Sequence, residues 1–190
     1  MKEHLAFVTI MLWPIIPLMW IPMHIFTAFF RRLGKWSYFF VVLAWLVCAA
    51  LIFSLRDMLL STIVNLPRGL ATIGMVLLLG GTLLQIWTAK LLSFTGITGG
   101  HELDNRQDVF QSQGAYSSVR HPAYLAHTFM LLGIFFITRS AAVGGVAVVD
   151  FIIVHFVIIP LEERELIARF GPAYEEYRRK VPRFFPHIRL

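Results

Sequence analysis

The segment from Tyr116 to Tyr124, with the sequence YSSVRHPAY, contains the densest group of side chains that can bind a polar ligand. Pro122 is typical of the first turn of a helix, where its missing N–H costs nothing. The free amides and the dipole at such a helix start favour an anion such as a carboxylate or a phosphate. His121 and Tyr124 are three positions apart and share a helix face, which His127 continues. His121 and Tyr124 are equally typical of interfacial anchors, and the sequence leaves both interpretations open.

A second polar group, with the sequence EERE at 162–165, directly follows a hydrophobic segment that ends near Pro160. Acids at a helix start are often simple partners of the helix dipole. If Glu162 and Glu163 instead face the anion-binding helix start and its aromatic side chains, the site suits a ligand that is both zwitterionic and cationic. Asp150 and His155 lie inside the preceding hydrophobic segment, where ionisable residues are costly and indicate function.

The elements that must position these residues are membrane helices. Of the 190 residues, 57% are hydrophobic and only 15% are charged, and the mean hydropathy is +0.70. A helix needs about 20 apolar residues to cross a bilayer. Five segments with at most one acidic or basic residue approach or exceed that length: Leu5–Phe30, Trp36–Leu55, Gly69–Ala89, Pro122–Thr138 and Ser140–Leu161. The sequence therefore predicts an all-α polytopic membrane protein with about five transmembrane helices.

Three features of these segments predict how they pack. Pro14, Pro17 and Pro22 should kink the first segment. Arg139 alone separates the last two segments, which should therefore form a tight helical hairpin. Small residues in the third segment should let a neighbouring helix approach closely: Gly74, Gly80 and Gly81.

The formal charge of +6 comes from 17 Lys and Arg residues against 11 acids. Most of the basic residues follow the first, third and fifth segments, so the positive-inside rule places the N-terminus outside and the C-terminus in the cytoplasm. Because the charge follows the membrane in this way, it does not indicate nucleic-acid binding. Cys48 is the only cysteine, so neither an intrachain disulfide nor a Cys-rich metal site is expected, and no metal site is predicted.

Two polar segments are long enough to carry chemistry, the loop Lys90–His121 and the tail Glu162–Leu190. The apolar residues of the tail recur at helical spacing with an interruption near Gly171, which predicts a helical segment that folds back over the membrane mouth. Neither segment has room for a Rossmann-type domain, which repeats βαβ units of about 30 residues. We therefore expect one membrane domain over residues 1–190, with a cofactor-binding part at about 96–124 and 160–186.

These residues resemble a known family, the isoprenylcysteine carboxyl methyltransferases and their phospholipid-methyltransferase relatives. The matching text is GAY at 114–116 and RHPAY at 120–124. After a hydrophobic hairpin it continues as EE at 162–163, FG at 170–171, Tyr174, Tyr177, VP at 181–182 and Pro186. Order and spacing agree over roughly residues 108–186.

The resemblance implies that S-adenosylmethionine is bound at the cytosolic membrane surface and that the methyl acceptor is lipid-like or a small hydrophobic molecule of the bilayer. The residues that this assigns to the cofactor are Tyr116, His121, Pro122, Tyr124, Glu162 and Glu163. Asp150 and His127 are candidates for substrate contact. His155 is the candidate general base, needed only if the acceptor must lose a proton.

Two departures restrict what the resemblance implies about the acceptor. Family members often carry a histidine in the loop before the GAY text, where this sequence has Asp108. The prenylcysteine enzymes place an arginine on the substrate carboxylate just before the paired acids, where this sequence has Ile158. A prenylated cysteine is therefore not assigned as the acceptor.

Two other function classes remain open. Membrane sterol and steroid reductases share an Arg-His-Pro-x-Tyr helix and use NADPH, but their asparagine after the proline is replaced here by Ala123. Binding of the 2′-phosphate of NADPH would also require basic residues at the positions that Glu162 and Glu163 occupy. The second alternative is a non-catalytic lipid- or haem-binding membrane module, in which the intramembrane histidines would be the haem ligands.

Overall fold

The computed structural model describes residues 1–97 and 110–184, of which 93–97 by their backbone alone. Asp108 and Pro186, which carry part of the resemblance, lie outside the described residues. Within the described ranges the chain is helical, apart from turns, short irregular segments and one isolated bridge between Ile63 and Ser140. The predicted all-α class is confirmed.

Eleven α-helices and one π-helical turn make up the described chain. In chain order they are α1 (Lys2–Leu12), α2 (Ile15–Ile25), α3 (Thr27–Leu33), α4 (Trp36–Ser54), α5 (Arg56–Ser61), α6 (Leu70–Ile97), α7 (Ala115–Ser118), α8 (Pro122–Thr138), α9 (Ala141–Ile153), the π-turn (Val154–Ile158), α10 (Ile159–Phe170) and α11 (Pro172–Lys180).

Four stretches of the described chain are long and apolar enough to cross a membrane. They are Lys2–Ile25, Trp36–Ser54, Leu70–Leu92 and Ala141–Phe170. They correspond to the first, second, third and fifth predicted segments. The fourth segment forms the apolar helix α8, which at 17 residues is shorter than these. The protein is an integral membrane protein whose described residues contain four stretches long enough to span a bilayer and one shorter apolar helix, where the sequence predicted about five spans.

The first segment is broken, as its prolines predict. Helix α1 ends at Leu12 and α2 begins at Ile15, with Pro14 between them as the N-cap residue. Pro22 lies inside α2, which ends shortly afterwards at Ile25. The break follows from the proline ring, which fixes φ and removes one backbone donor.

Helices α6 and α8 pack closely in antiparallel directions, and two glycines permit the approach. A Cβ atom at Gly74 would lie 2.8 Å from the carbonyl oxygen of Gly133, and one at Gly81 would lie 2.8 Å from that of Ala126. A Cβ atom at Gly80 would meet no neighbouring atom within 4 Å, so the expectation of a close contact there is wrong. Gly80 precedes Gly81 by one residue, and this helical step of about 100° turns position 80 away from α8.

Helix α6 continues to Ile97, beyond the end predicted at Ala89. The prediction placed the start of a loop at Lys90, because a charged residue marks the edge of an apolar run. The lysine is helical, since its flexible apolar stem can carry the ammonium group to water while the backbone continues. The predicted loop Lys90–His121 is therefore shorter than expected at its beginning.

Helices α8 and α9 form the predicted tight hairpin. Helix α8 ends at Thr138 and α9 begins at Ala141. Arg139 turns the chain with a φ of 59°, and its carbonyl oxygen accepts a hydrogen bond from the Val64 amide at 2.8 Å.

The tail folds back on the start of α8, as predicted. The Arg120 amide donates to the Pro182 carbonyl at 2.8 Å, and the His121 amide donates to that of Arg183 at 3.3 Å. The tail reverses at Gly171, whose φ of 54° favours glycine. The contact between the tail and the start of α8 brings the two polar groups of the sequence, at 116–124 and 162–165, to one end of the helix bundle.

The π-turn separates Asp150 from the paired acids. The Ile159 amide donates to the Val154 carbonyl, five residues back, and Pro160 follows directly with no amide hydrogen to donate. Such turns shift the register between the two helical parts that they join. The side chains of α10 therefore face directions that a continuous α-helix would not give them.

Candidate functional site

A cavity of about 420 Å³ opens between the helix bundle and the folded-back tail. That volume lies within the range of small-molecule sites, about 300–1,000 Å³. Its bundle wall is largely apolar and includes Ile15, Ile16, Met19 and Met130, whereas its tail wall carries charged and aromatic side chains. The cavity therefore joins a polar compartment to an apolar one.

The polar compartment is held together by an ion cluster centred on Glu163. Its Oε1 accepts hydrogen bonds from Arg120 at 2.9 and 3.1 Å and from Nε2 of His121 at 3.0 Å. Arg183 of the tail lies 3.5 Å from the other oxygen. Arg120 in turn donates to the carbonyl oxygens of Arg178, at 2.9 Å, and of Val181. Through this buried cluster the starts of α8 and α10 are joined to the tail.

Glu162 has a different environment from its neighbour in sequence. It lines the cavity, and its Oε2 is buried with no hydrogen-bond partner among the described residues. Nδ1 of His121 lies 3.8 Å from that oxygen, which is outside hydrogen-bond range. A buried carboxylate oxygen without a donor is costly, so this atom is suited to a ligand that supplies one.

Aromatic rings form the tail wall of the cavity. The Phe110 ring packs against Phe170, Tyr174 and Tyr177, with centroids 5.4, 5.3 and 5.1 Å away. The Tyr177 hydroxyl donates to the Tyr116 carbonyl at 2.6 Å, which ties this wall to α7. Burial raises the pKa of the Tyr116 phenol, so the side chain is a neutral hydrogen-bond donor. These aromatic side chains line the same cavity as Glu162.

The start of α8 adds hydrogen-bond donors. His121 is its N-cap and the buried Pro122 occupies the first helical position. Leu125 donates to the His121 carbonyl, so the amides of Ala123 and Tyr124 precede the helical ladder. Both residues line the cavity, where the Ala123 amide and the helix dipole favour an anion.

A second polar group lies deeper in the bundle. Oδ1 of the buried Asp150 accepts hydrogen bonds from Trp13 Nε1 at 2.8 Å and from His127 Nε2 at 3.2 Å. His127 lines the cavity, as does Gln85, whose Oε1 is buried without a partner among the described residues. The break between α1 and α2 positions Trp13, and the α8–α9 hairpin brings His127 to Asp150.

His155 lies outside the cavity wall. Its ring packs between Phe151 and Phe184, at 3.9 and 4.5 Å between centroids, and Nδ1 donates to the Phe151 carbonyl at 2.9 Å. A histidine sandwiched between two phenylalanines, with one nitrogen bonded to its own helix, packs the bundle. The structure therefore does not place the predicted general base at the cavity.

The predicted site residues divide into two groups. Those that line the cavity are Tyr116, His121, Tyr124, His127 and Glu162. Those outside its wall are Pro122, Asp150, His155 and Glu163. Most other wall residues were not predicted as site residues, among them the polar or aromatic side chains of Gln85, Phe110 and Arg120. The flanking position of Arg120 in RHPAY could have revealed it, and Gln85 is a polar residue inside an apolar segment, whereas no sequence pattern singles out Phe110.

A family profile described as phospholipid methyltransferase matches residues 70–173, more than half of the chain. The chain belongs to the phospholipid methyltransferase family. The matched range begins with α6 and extends just past α10, so it contains the hairpin, the paired acids and the whole start of α8. The N-terminal helices, which supply part of the apolar wall, lie outside it. No solved structure matches the chain.

Three curated proteins that are similar to the chain have different functional names. A cobalt-zinc-cadmium resistance protein of Cupriavidus metallidurans is 29% identical over 167 residues, 84% of this chain and 66% of the relative. A methanethiol S-methyltransferase of Crocosphaera subtropica is 32% identical over 42% of this chain and 30% of the relative. A protein-S-isoprenylcysteine O-methyltransferase of Schizosaccharomyces pombe is 33% identical over 44% and 36%. The chain spans less than two thirds of the length of each.

Proposed function

We propose that this protein is an S-adenosylmethionine-dependent methyltransferase that acts on a lipid-like or small hydrophobic acceptor from the bilayer. The observation that carries the proposal is the cavity itself, in which the donor-free oxygen of Glu162, a wall of aromatic rings and the start of α8 surround one space. Family membership supports the reaction class. The cofactor and the acceptor rest on the geometry.

Opposite charges of the ligand are matched at two places. The Glu162 carboxylate can accept hydrogen bonds from an ammonium group or from ribose hydroxyls. The Ala123 amide at the start of α8 can bind a carboxylate, aided by the helix dipole. A zwitterionic amino-acid group meets both requirements, whereas a simple anion would face Glu162 unfavourably.

The aromatic wall suits a sulfonium cation. The rings of Tyr124, Phe110 and Tyr177 border the cavity, and a cation over an aromatic face gains about 0.5–2 kcal/mol. Bound S-adenosylmethionine supplies an electrophilic methyl group to an acceptor. The task of the protein is then to hold the acceptor in line and to keep water out.

The apolar wall suits the acceptor. Side chains of α2 and α8, including Met19 and Met130, extend the cavity into the bundle. An acceptor dissolved in the bilayer needs such a surface, because each buried methylene group gains about 0.8 kcal/mol. The basic residues of the tail favour the cytoplasmic side for this site, with the N-terminus outside.

The first experiment is calorimetric titration of the detergent-purified protein with S-adenosylhomocysteine, with NADPH titrated in parallel. We expect saturable binding of S-adenosylhomocysteine alone. NADPH should not bind, because the Glu162 carboxylate should repel its 2′-phosphate. Binding of NADPH alone would therefore favour a reductase and contradict the proposal. Absence of binding by both, or a Soret band in the purified protein, would favour the non-catalytic module.

A further inference from the structure

We propose that His127, oriented by Asp150, is the proton acceptor of this site and that the acceptor molecule is a hydrophobic thiol of cysteine-like acidity. This inference rests on the proposed function and names a catalytic residue and a substrate class for it. It transfers the role of base from His155, which lies outside the cavity, to the histidine that borders it.

The contacts of Asp150 determine which nitrogen of His127 carries the proton. The indole Nε1 of Trp13 can only donate, so Oδ1 of Asp150 accepts at 2.8 Å. The same oxygen lies 3.2 Å from His127 Nε2. With the carboxylate ionised, Nε2 carries the hydrogen and Nδ1 keeps its lone pair. A carboxylate behind an imidazole stabilises the imidazolium that forms when Nδ1 takes a proton.

Burial favours a role beyond packing. Asp150 has a relative exposure of 2% at membrane depth, where an ionisable group is costly. Its Oδ2 is buried and has no hydrogen-bond partner in the described part of the chain. The neutral donors around Asp150 thus offset only part of the cost of burying its negative charge. A positive charge on His127 would offset more of that cost.

The position of His127 fits the acceptor end of the cavity. It lies six residues after His121 on α8, about 9 Å further along the helix axis, between the cofactor-side residues and the apolar Met130. The other ionisable groups of the cavity wall come from the segment before α8, from its first turn, from α10 and from the tail: Tyr116, Arg120, His121, Tyr124, Glu162, Arg169, Tyr174 and Tyr177. Within residues 1–97 and 110–184, Asp150 is the ionisable group that contacts His127.

The basicity of an imidazole selects among acceptors. The thiol of cysteine has an ordinary pKa of about 8.5, within about two units of histidine, whereas an alkylammonium lies near 10.4. A neutral thiol also enters an apolar wall without the cost of desolvating a charge. In the proton-transfer step the S–H bond breaks, the proton bonds to Nδ1 of His127 and the sulfur keeps the electron pair. The resulting thiolate is the nucleophile that methyl transfer requires.

The test compares two thiols of different acidity. With an N-acylcysteine ester, whose thiol has cysteine-like acidity, His127→Ala should lower turnover by about 100-fold or more, the usual contribution of a general base. With an aromatic thiol, which is already ionised at neutral pH, the loss should stay below about fivefold. His4→Ala, a change at an exposed histidine of α1, is the matched control and should leave both rates unchanged. Equal losses for the two thiols, or no loss with either, would overturn the proposal.

Asp150 is a positioning residue and needs a readout that a packing role would not change. Asp150→Asn keeps the volume and the bond from Trp13 but removes the negative charge. We expect it to move the acidic limb of the pH–rate profile for the N-acylcysteine ester to lower pH, and Asp150→Glu to restore the limb in part. An unchanged profile in Asp150→Asn would contradict the assignment. Asp150→Asn also provides the test if His127→Ala does not fold.

A binding measurement separates this inference from the proposed function, because it needs no cofactor. 4-Nitrophenol, whose phenolate absorbs visible light, is titrated into the wild-type protein and His127→Ala. The wild-type protein should show the phenolate band at a pH where the free probe is neutral, and the variant should not. The same spectrum from both proteins would overturn the role of His127, whereas failure of S-adenosylhomocysteine to bind would overturn the proposed function alone.

Discussion

The guanidinium of Arg120 donates to one oxygen of Glu163 from two nitrogens, at 2.9 and 3.1 Å. Both side chains are almost fully buried, with exposures of 10% and 7%. The pair connects the start of α8 to the start of α10, and through the tail carbonyls it also holds the tail in place. The neighbouring Glu162 makes no such bond, so consecutive acids in the sequence have separate tasks.

Loss of Glu163 should destabilise the protein. Glu163→Ala leaves Arg120 buried without a carboxylate, which costs about 3–5 kcal/mol for pairs of this kind. We expect a clearly lower thermal unfolding midpoint in detergent. The control is Glu176→Ala in α11, whose carboxylate pairs with Lys180 on the exposed surface, and it should change the midpoint little. Similar midpoints for the two variants would contradict a stabilising role of the Arg120–Glu163 pair.

Loss of the Glu162 charge should weaken cofactor binding without destabilising the fold. In Glu162→Gln one acceptor oxygen remains, but a hydrogen bond to a charged group, worth about 1.5–3 kcal/mol, becomes one to a neutral group, worth about 0.5–1.5 kcal/mol. The affinity for S-adenosylhomocysteine should therefore fall by about tenfold or more in calorimetric titration. Glu176→Gln provides the matched charge change outside the cavity. Equal affinity in the two variants would remove Glu162 from the site.

The contact between α6 and α8 should depend on one glycine and not on its neighbour. A methyl group at Gly81 would lie 2.8 Å from the Ala126 carbonyl, whereas one at Gly80 meets nothing within 4 Å. Gly81→Ala should cost about 1–3 kcal/mol through overpacking. Gly80→Ala should be neutral or slightly stabilising, because alanine favours a helix. Thermal unfolding of the two variants in the same detergent tests this, and equal midpoints would refute the close approach.

The folded tail should limit stability at high pH. Burial raises the pKa of the Tyr174 and Tyr177 phenols above their ordinary value of about 10. Below about pH 10 these phenols are neutral in both the folded and the unfolded chain. Above it the unfolded chain releases protons that the folded chain retains, so the stability should fall. Unfolding midpoints measured across this range should fall less steeply for Tyr177→Phe, and an equal slope would argue against its burial.

Local pattern was enough for much of the architecture. The charge-free runs predicted the spanning helices, because a bilayer requires long apolar stretches irrespective of how they pack. The single residue between two such runs predicted the α8–α9 hairpin, and the apolar spacing of the tail predicted that it folds back. The cluster around His121 identified the start of α8, and four of the predicted cofactor residues line the cavity: Tyr116, His121, Tyr124 and Glu162.

The tertiary structure alone decided which side chains work together. The paired acids look equivalent in sequence, but the π-turn before Pro160 and a helical step of about 100° send Glu162 to the cavity and Glu163 to Arg120. Asp150 meets Trp13 across 137 positions of sequence, and no periodicity reports a contact of that range. Periodicity records which face of a helix is apolar, whereas the partner of a polar side chain depends on where the other helices lie.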